Sequence, residues 1–457
     1  MSTNKSVMQR LARYMAQART AELPVPVLQK AKHHVLDTLA SMVSGSQLKP
    51  GRVAIDYAEQ QGGPAEAQVV ASRHCVSAAN AAIANGMLAH SDETDDAHSD
   101  AGVNPGCVIV PAALAMAERE NASGADFLRA VVLGYDVGCR TIRALGRAAL
   151  RARSHLPFSI GGTMGATAAA GSLAGLRLEQ LPHLLSYGAQ QAGGVLTYAR
   201  DTEHIEKAFI FGGMGARNGV TAATMVPSGF TGVDDVFSGD GNFLVAYAEK
   251  QRPEELVADL GSRYEVMLTN IKKYCVGFPI QLPLAGLQLI MKEHHIGARD
   301  VEGVVARIDE SGVQTVNDRE MPDINLQYLF AVTLLDGDLS FEAAHSTERM
   351  RDPQVLELKA RISLLGEPDL TRAVPHHPWR QAIVEVTTTD GRKIQELVTT
   401  FRGLAGNPLS TEEVGKKAFD LMESVLGREK SRQIIDAVGR LETLASIREL
   451  RPFLQRG

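Results

Sequence analysis

The sequence predicts a mainly α protein: a large all-helical domain with a smaller α+β domain inserted before the C-terminal helices. Three observations lead there. Before about residue 260, apolar residues recur at helical spacing and strand signals are nearly absent. Beyond that point a strand pattern and a hairpin signal enter. After the hairpin, helical spacing returns to the end of the chain. The boundaries read as 1–267 with 404–457 for the helical domain and 268–403 for the α+β domain.

The elements follow in order. Residues 27–43 carry apolar side chains at helical spacing, with Pro24 and Pro26 before them and Gly45 after. Residues 78–89 are small and apolar and read as a buried helix, and 107–117 read as another. A helix over 125–140 follows the turn Ala122, Ser123, Gly124. Further helices are expected at 165–174, 179–192 and 215–225, while 205–211 stay open. Residues 301–308 alternate partially, as a strand does. Residues 324–335 read as a helix. Asp390 and Gly391, between apolar runs at 383–389 and 393–400, signal a hairpin. Ser410, Thr411, Glu412 and Glu413 form a capping-box pattern that opens a helix over 411–425. Residues 430–444 are helical again.

Bulk properties narrow the classes. At 457 residues the chain is long enough for two domains. Its 44% hydrophobic and 22% charged content is that of a soluble globular protein. The net charge of −6, without a basic tract, argues against nucleic acid as the main partner. Aromatics make up only 5% while Ala and Gly abound, which favours close helix packing through small residues. Cys75, Cys107, Cys139 and Cys275 form no C-x-x-C pair, so a zinc knuckle is not expected. Residues 1–13 are polar and charged, and no apolar run approaches a membrane span. A cytoplasmic protein with reduced thiols is the expectation.

The densest chemistry lies in His90, Ser91, Asp92, Glu93, Thr94, Asp95, Asp96, Ala97 and His98: four acids and two histidines in nine residues. Between two core helices such groups must be exposed, paired or used. Either this is a solvated acidic loop capping the next helix, or it is an active-site or ion-binding loop. A Mg²⁺ or Ca²⁺ site is conceivable there, although the spacing is not that of an EF-hand. The glycine-rich runs Gly161, Gly162, Thr163, Met164, Gly165 and Gly212, Gly213, Met214, Gly215 lack both phosphate-loop frames and follow no strand, so close helix approach, or backbone N–H groups facing a substrate, explains them better. Arg140, Arg143, Arg147, Arg151 and Arg153 stand at near-helical spacing and read as a solvated face or a dimer contact.

Residues 90–111 resemble the MmgE/PrpD family, the group of 2-methylcitrate dehydratase, cis-aconitate decarboxylase and iminodisuccinate epimerase. The family pattern resembles H-x-x-D-x-D-D-x-H, a His-Pro-Gly-type turn and an apolar helix. Here stand His90, Glu93, Asp95, Asp96 and His98, then Asn104, Pro105, Gly106 and Val108, Ile109, Val110, Pro111. Val132 to Val137, Gly161 to Gly165, Lys207, and Gly229, Phe230, Thr231, Gly232 fit as well. The resemblance spans nearly the whole chain. It implies a helical domain with a smaller lid domain, a homodimer, small di- or tricarboxylate substrates and no required metal or cofactor. The chain departs from the pattern at Glu93 (usually Asp), Ala97 (usually Thr), Asn104 (the turn's His) and Ser159 (a second His). Lys207 matches the family's active-site lysine.

Candidate roles follow from that chemistry. Binding a carboxylate needs a cation, and moving a proton beside one needs a positioned acid or base. Lys207 is the strongest cation, although a solvated lysine at a helix start reads the same way. The acids Asp92, Glu93, Asp95 and Asp96 cannot all be ionised at close range without a counter-charge. Glu93 and Asp96 are candidate acid–base groups and Asp92 a candidate binding group. Asp95 and Asp96 read equally as acids that cap backbone N–H groups. His98 and His155 are candidates to replace the absent histidines, and His90 reads as an anchor. Asn104 and Ser159 can hydrogen-bond a substrate but move no proton at neutral pH. Lys272, Lys273, Tyr274 and Cys275 resemble the family's Lys-x-Tyr-Pro segment, with Lys273 a binding candidate and Tyr274 a phenolic acid or a core residue. Arg319 is a candidate carboxylate clamp, or an ordinary loop residue.

The reading is a cofactor-independent enzyme that abstracts a proton next to a carboxylate, a dehydratase-like lyase or an isomerase or epimerase. The alternative is a catalytically silent family member that binds carboxylates or acts as a scaffold.

Overall fold

The computed structural model describes residues 6–371 and 381–456. The protein is mainly helical with a smaller α+β part. It divides into two compact units. The larger holds the chain up to Ser91, then Asp95–Ile271, then everything from Ser410; the smaller holds Asp92–Thr94 and Lys272–Leu409. The divisions fall after Ile271 and Leu409. Thr269–Asn270 pairs antiparallel with Ala97–His98, which keeps that stretch in the larger unit. Phe401 is buried in the core of the smaller unit, which holds the following turn there.

In the larger unit, helix Val25–Gly45 has Pro26 in its first turn, where the missing N–H has no partner to lose. Ser77 caps Ala78–Ala89, and Ser123 caps Gly124–Leu145 by accepting the Asp126 N–H at 3.1 Å. Helix Pro157–Leu173 starts two turns before the expected 165, because its glycines are contacts and not breaks. A Cβ at Gly165 would lie 2.6 Å from the Gly134 carbonyl oxygen, so helices Pro157–Leu173 and Gly124–Leu145 touch backbone to backbone. The residues 205–211 resolve into the α-turn Ile205–Ala208 and a π-turn, Phe209–Gly213, which runs on into Met214–Met225. The wide turn lies where Gly212 meets Gly86; a Cβ on Gly212 would lie 2.0 Å from the Gly86 carbonyl oxygen. Single π-turns inside helices often mark functional positions. The expected capping box is present, with Glu413 N–H on Ser410 Oγ at 3.2 Å and Ser410 N–H on Glu413 Oε2 at 2.7 Å. Helix Thr411–Leu426 is tied to Val25–Gly45 by Lys417 on Asp37 at 2.6 Å.

The smaller unit is built on a four-stranded sheet in the order Ile362–Gly366, Val301–Ile308, Ala382–Thr388, Lys393–Val398. The first pair is parallel and the others are antiparallel. Ala382–Thr388 alternates between buried and half-buried residues along its whole length, the signature of a one-faced strand. The hairpin closes through Gly391 at φ 85°, a conformation that favours glycine. Helices Phe278–His294 and Leu326–Asp336 supply Leu287, Leu329 and Phe330 to the core under the sheet. Asn325 caps the second of them, accepting the Tyr328 N–H at 2.9 Å. Among the described residues no helix is long and apolar enough to cross a membrane.

Candidate active site

The acidic stretch is buried throughout: no residue from His90 to His98 is more than 8% exposed. Its ionisable groups are not solvated: Asp92, Asp96 and His98 take counterparts from elsewhere in the chain, while His90 and Asp95 pair with each other.

In the larger unit, Asp96 accepts from three donors. Tyr135 donates to Oδ2 at 2.6 Å, His34 Nδ1 stands 2.7 Å from Oδ2, and the Gly106 N–H reaches Oδ1 at 2.8 Å. The last of these fastens the start of helix Gly106–Glu120. Burial, with the Asp96 charge and hydrogen bond adding to it, raises the Tyr135 pKa well above its usual value, so the phenol keeps the proton it donates. His98 is equally engaged. Its Nδ1 accepts the Ala101 N–H at 3.2 Å, and its Nε2 donates to Glu265 Oε2 at 3.0 Å. Burial alone would raise the Glu265 pKa, but His98, Arg140 and Arg143 outweigh it and hold it below the usual range. Asp96 and His98, expected as acid–base groups, therefore sit in architectural roles. The arginine face also needs correction: Arg140 is fully buried and donates to the Arg263 carbonyl at 2.7 Å.

His90 differs from these. It ends helix Ala78–Ala89, and its Nδ1 lies 3.0 Å from Asp95 Oδ2, both side chains fully buried. Its Nε2 has no hydrogen-bond partner among the described residues. The ring stacks on Phe211 at 4.5 Å with 4° between planes. Phe211 comes from the π-turn and also meets Phe158 at 4.4 Å and Tyr198 at 4.9 Å. Lys207 Nζ stands 5.6 Å from the Phe211 ring centre, in cation–π range, and the His204 ring lies 5.3 Å from that of His90. A carboxylate on Nδ1 selects the tautomer whose Nε2 carries a lone pair, the arrangement of an oriented general base. Ser159, next to Phe158, is fully buried, and its Oγ lacks a partner among the described residues.

In the smaller unit, Asp92 accepts the Thr94 N–H at 2.9 Å and the Thr94 hydroxyl at 2.6 Å, and lies 2.8 Å from His345 Nε2. Burial pushes the Asp92 carboxyl up, but His345 and Thr94 outweigh it and leave it below the usual range. Lys272, fully buried, donates to the Glu93 carbonyl at 2.8 Å and stands 3.5 Å from Glu93 Oε2. Lys273, the expected binding residue, is exposed and donates to the Tyr274 hydroxyl at 3.0 Å. Tyr274 donates in turn to Gln288 at 2.6 Å, and burial with the Asp338 charge pushes its pKa up.

The other expected residues are scattered. His155 is half-buried, bridged to Val195, with its ring 5.1 Å from Tyr247. Asn104 is half-buried, and its carbonyl accepts the Cys107 thiol at 3.2 Å. The Arg319 carbonyl accepts from Asn325 at 2.5 Å. For a metal, His90, Asp95 and Cys107 place ligand atoms within 4.8 Å of one another, all buried; the 3.0 Å His90–Asp95 contact is the spacing of a hydrogen-bonded dyad. Sequence reasoning undervalued His90 and Lys272 and did not find His34, Glu265 or His345. The available signal for His90 was a histidine closing a mostly apolar helix. For the others the partners are 62 to 253 residues apart in sequence, which no local pattern shows.

A buried imidazole oriented by a carboxylate, with a lysine nearby, has the chemistry to take up a proton. Comparison with known proteins gives the family. The model of the MmgE/PrpD N-terminal domain matches residues 9–256 and that of the C-terminal domain residues 274–443, and the chain belongs to the MmgE/PrpD family. It is 27% identical to a cis-aconitate decarboxylase-like protein of Aspergillus oryzae, over 96% of this chain and 95% of that one. It is 26% identical to the cis-aconitate decarboxylase of Homo sapiens, over 99% and 95%. A 2-methylcitrate dehydratase-like protein of Aspergillus oryzae is 31% identical over 34% of each chain. The protein is an enzyme of lyase or isomerase type. The C-terminal family segment runs past Ser410, so its last helices fold with the larger unit.

Proposed function

We propose that the protein is a cofactor-independent enzyme acting on a small di- or tricarboxylate by abstracting a proton next to a carboxylate. His90 carries the reading: its Nδ1 is held by Asp95 and its Nε2 has no hydrogen-bond partner among the described residues, beside the aromatic cluster that Lys207 overlooks. In this proposal Nε2 takes the proton, Lys207 holds the adjacent carboxylate, and Ser159 donates a hydrogen bond to the substrate. The smaller unit holds a second acid–base pair, Glu93 with Lys272, and a phenolic donor, Tyr274. The carbanion that forms then loses a β-hydroxyl, as a dehydratase requires, or is reprotonated, as an epimerase requires. The replacement of family histidines by Asn104 and Ser159 favours reprotonation, because fewer groups remain to protonate a leaving hydroxyl.

The test is direct. Purified protein is incubated with di- and tricarboxylates in D₂O and followed by NMR. Deuterium enters the carbon next to a carboxylate, with or without turnover; no exchange and no turnover with any of them leaves the silent carboxylate-binding reading in its place. A homodimer and cytoplasmic residence accompany the proposal. The exposed Phe230 and Val233 offer apolar surface for such an interface, which light scattering tests.

A further inference from the structure

We propose that His345 is a positioning residue: it holds Asp92–Thr94 against the smaller unit and thereby fixes Glu93 opposite Lys272. The two side chains act on successive residues of the same tripeptide. His345 Nε2 lies 2.8 Å from Asp92, and Lys272 Nζ donates to the Glu93 carbonyl at 2.8 Å. The tripeptide has no regular secondary structure of its own, yet it is buried. Asp92 uses its remaining capacity on Thr94, closing an Asx-type turn around Glu93. Its shape therefore depends on these side chains.

His345 is itself fixed. It ends the short helix Phe341–His345, its ring packs on Phe341 at 4.1 Å, and its Nδ1 lies 2.7 Å from the Phe341 carbonyl. A carbonyl only accepts, so Nδ1 carries a proton; the carboxylate at Nε2 favours a second. The ring is thus an imidazolium facing Asp92, with the Asp323 charge adding to the same effect. Tyr328 anchors the helix by donating to the Ala343 carbonyl at 2.5 Å. Replacing either partner leaves a buried charge without its counter-ion.

Hydrogen exchange and kinetics test this. In His345→Gln the Thr94 amide, protected by Asp92, exchanges at least about tenfold faster, while peptides of strand Val301–Ile308 are unchanged. His345→Lys, which keeps the cation, restores part of the protection. If His345→Gln does not fold, Asp92→Asn gives the same loosening with the imidazole in place. Unchanged exchange at 92–94 in a folded variant overturns the proposal. The kinetic arm rests on the proposed function: on a carboxylate that the wild type turns over, kcat falls at least about tenfold and KM less than about threefold. A loss in KM alone makes His345 a binding residue and overturns the positioning role. If the wild type turns over no carboxylate, the proposed function fails and the exchange arm still decides this one.

Discussion

Asp96 and Glu93 stand three residues apart and are both buried, yet they are held in opposite ways. Asp96 is held by a phenol, an imidazole and a backbone N–H, all on its own carboxylate. Glu93 is gripped through its main chain, with the Lys272 ammonium 3.5 Å from its carboxylate. An acid whose carboxylate carries three donors is fixed by its functional group, and most of that group's accepting capacity is spent. An acid gripped by its carbonyl is positioned through the backbone instead. Burial alone distinguishes neither case; the count and chemistry of the partners do.

The largest effect expected on this contrast is in stability. Asp96→Ala strands three buried donors and costs about 4 kcal/mol or more, read by denaturant unfolding. Glu93→Ala costs less on the same measure, because the Glu93 carbonyl still accepts from Lys272, and equal losses would erase the distinction. Next is Lys207→Ala, expected to lower kcat/KM by about a hundredfold on a confirmed carboxylate with the unfolding midpoint little changed. A full-activity variant removes Lys207 from the site. A smaller effect concerns pH. Burial lowers the His345 pKa, but the Asp92 contact and charge raise it further, to about 9 from 6.5. The folded value exceeds the unfolded one, so the pair's stabilisation is whole below about 6.5 and is lost as pH rises through about 9. His345→Gln flattens the stability profile in that window, and an unchanged slope breaks the assignment of an imidazolium. Least affected is Arg319→Ala, expected to shift stability by no more than about 0.5 kcal/mol; a large kinetic loss would restore Arg319 as a carboxylate clamp.

The helical body, the Asp390–Gly391 hairpin and the Ser410–Glu413 box were legible because each rests on local spacing or turn chemistry. The start of helix Pro157–Leu173 was not, since Gly161 and Gly162 carry no apolar side chain to extend the helical spacing and show their contact only once a second helix is seen against them. The same limit governs the site. The stretch from His90 to His98 was readable as a charged anomaly between apolar helices. Its partition was not: whether an acid is a joint or a tool depends on His34, Tyr135, Lys272 and His345, brought to it only by the fold. Lys273 is exposed and Lys272 buried, a one-residue difference of facing that a stretch without regular periodicity does not reveal.

The π-turn Phe209–Gly213 carries one residue more than an α-turn would need. Deleting a residue there would let it close into an α-turn. The number of turns would be kept, so Lys207 and His204 on one side and Met214–Met225 on the other would hold their phase. A deletion inside Met214–Met225 has no such reserve and would rotate what lies beyond it by about 100°. The wide turn is thus the one place in this segment where the chain can lose a residue without turning its side chains away from Phe211.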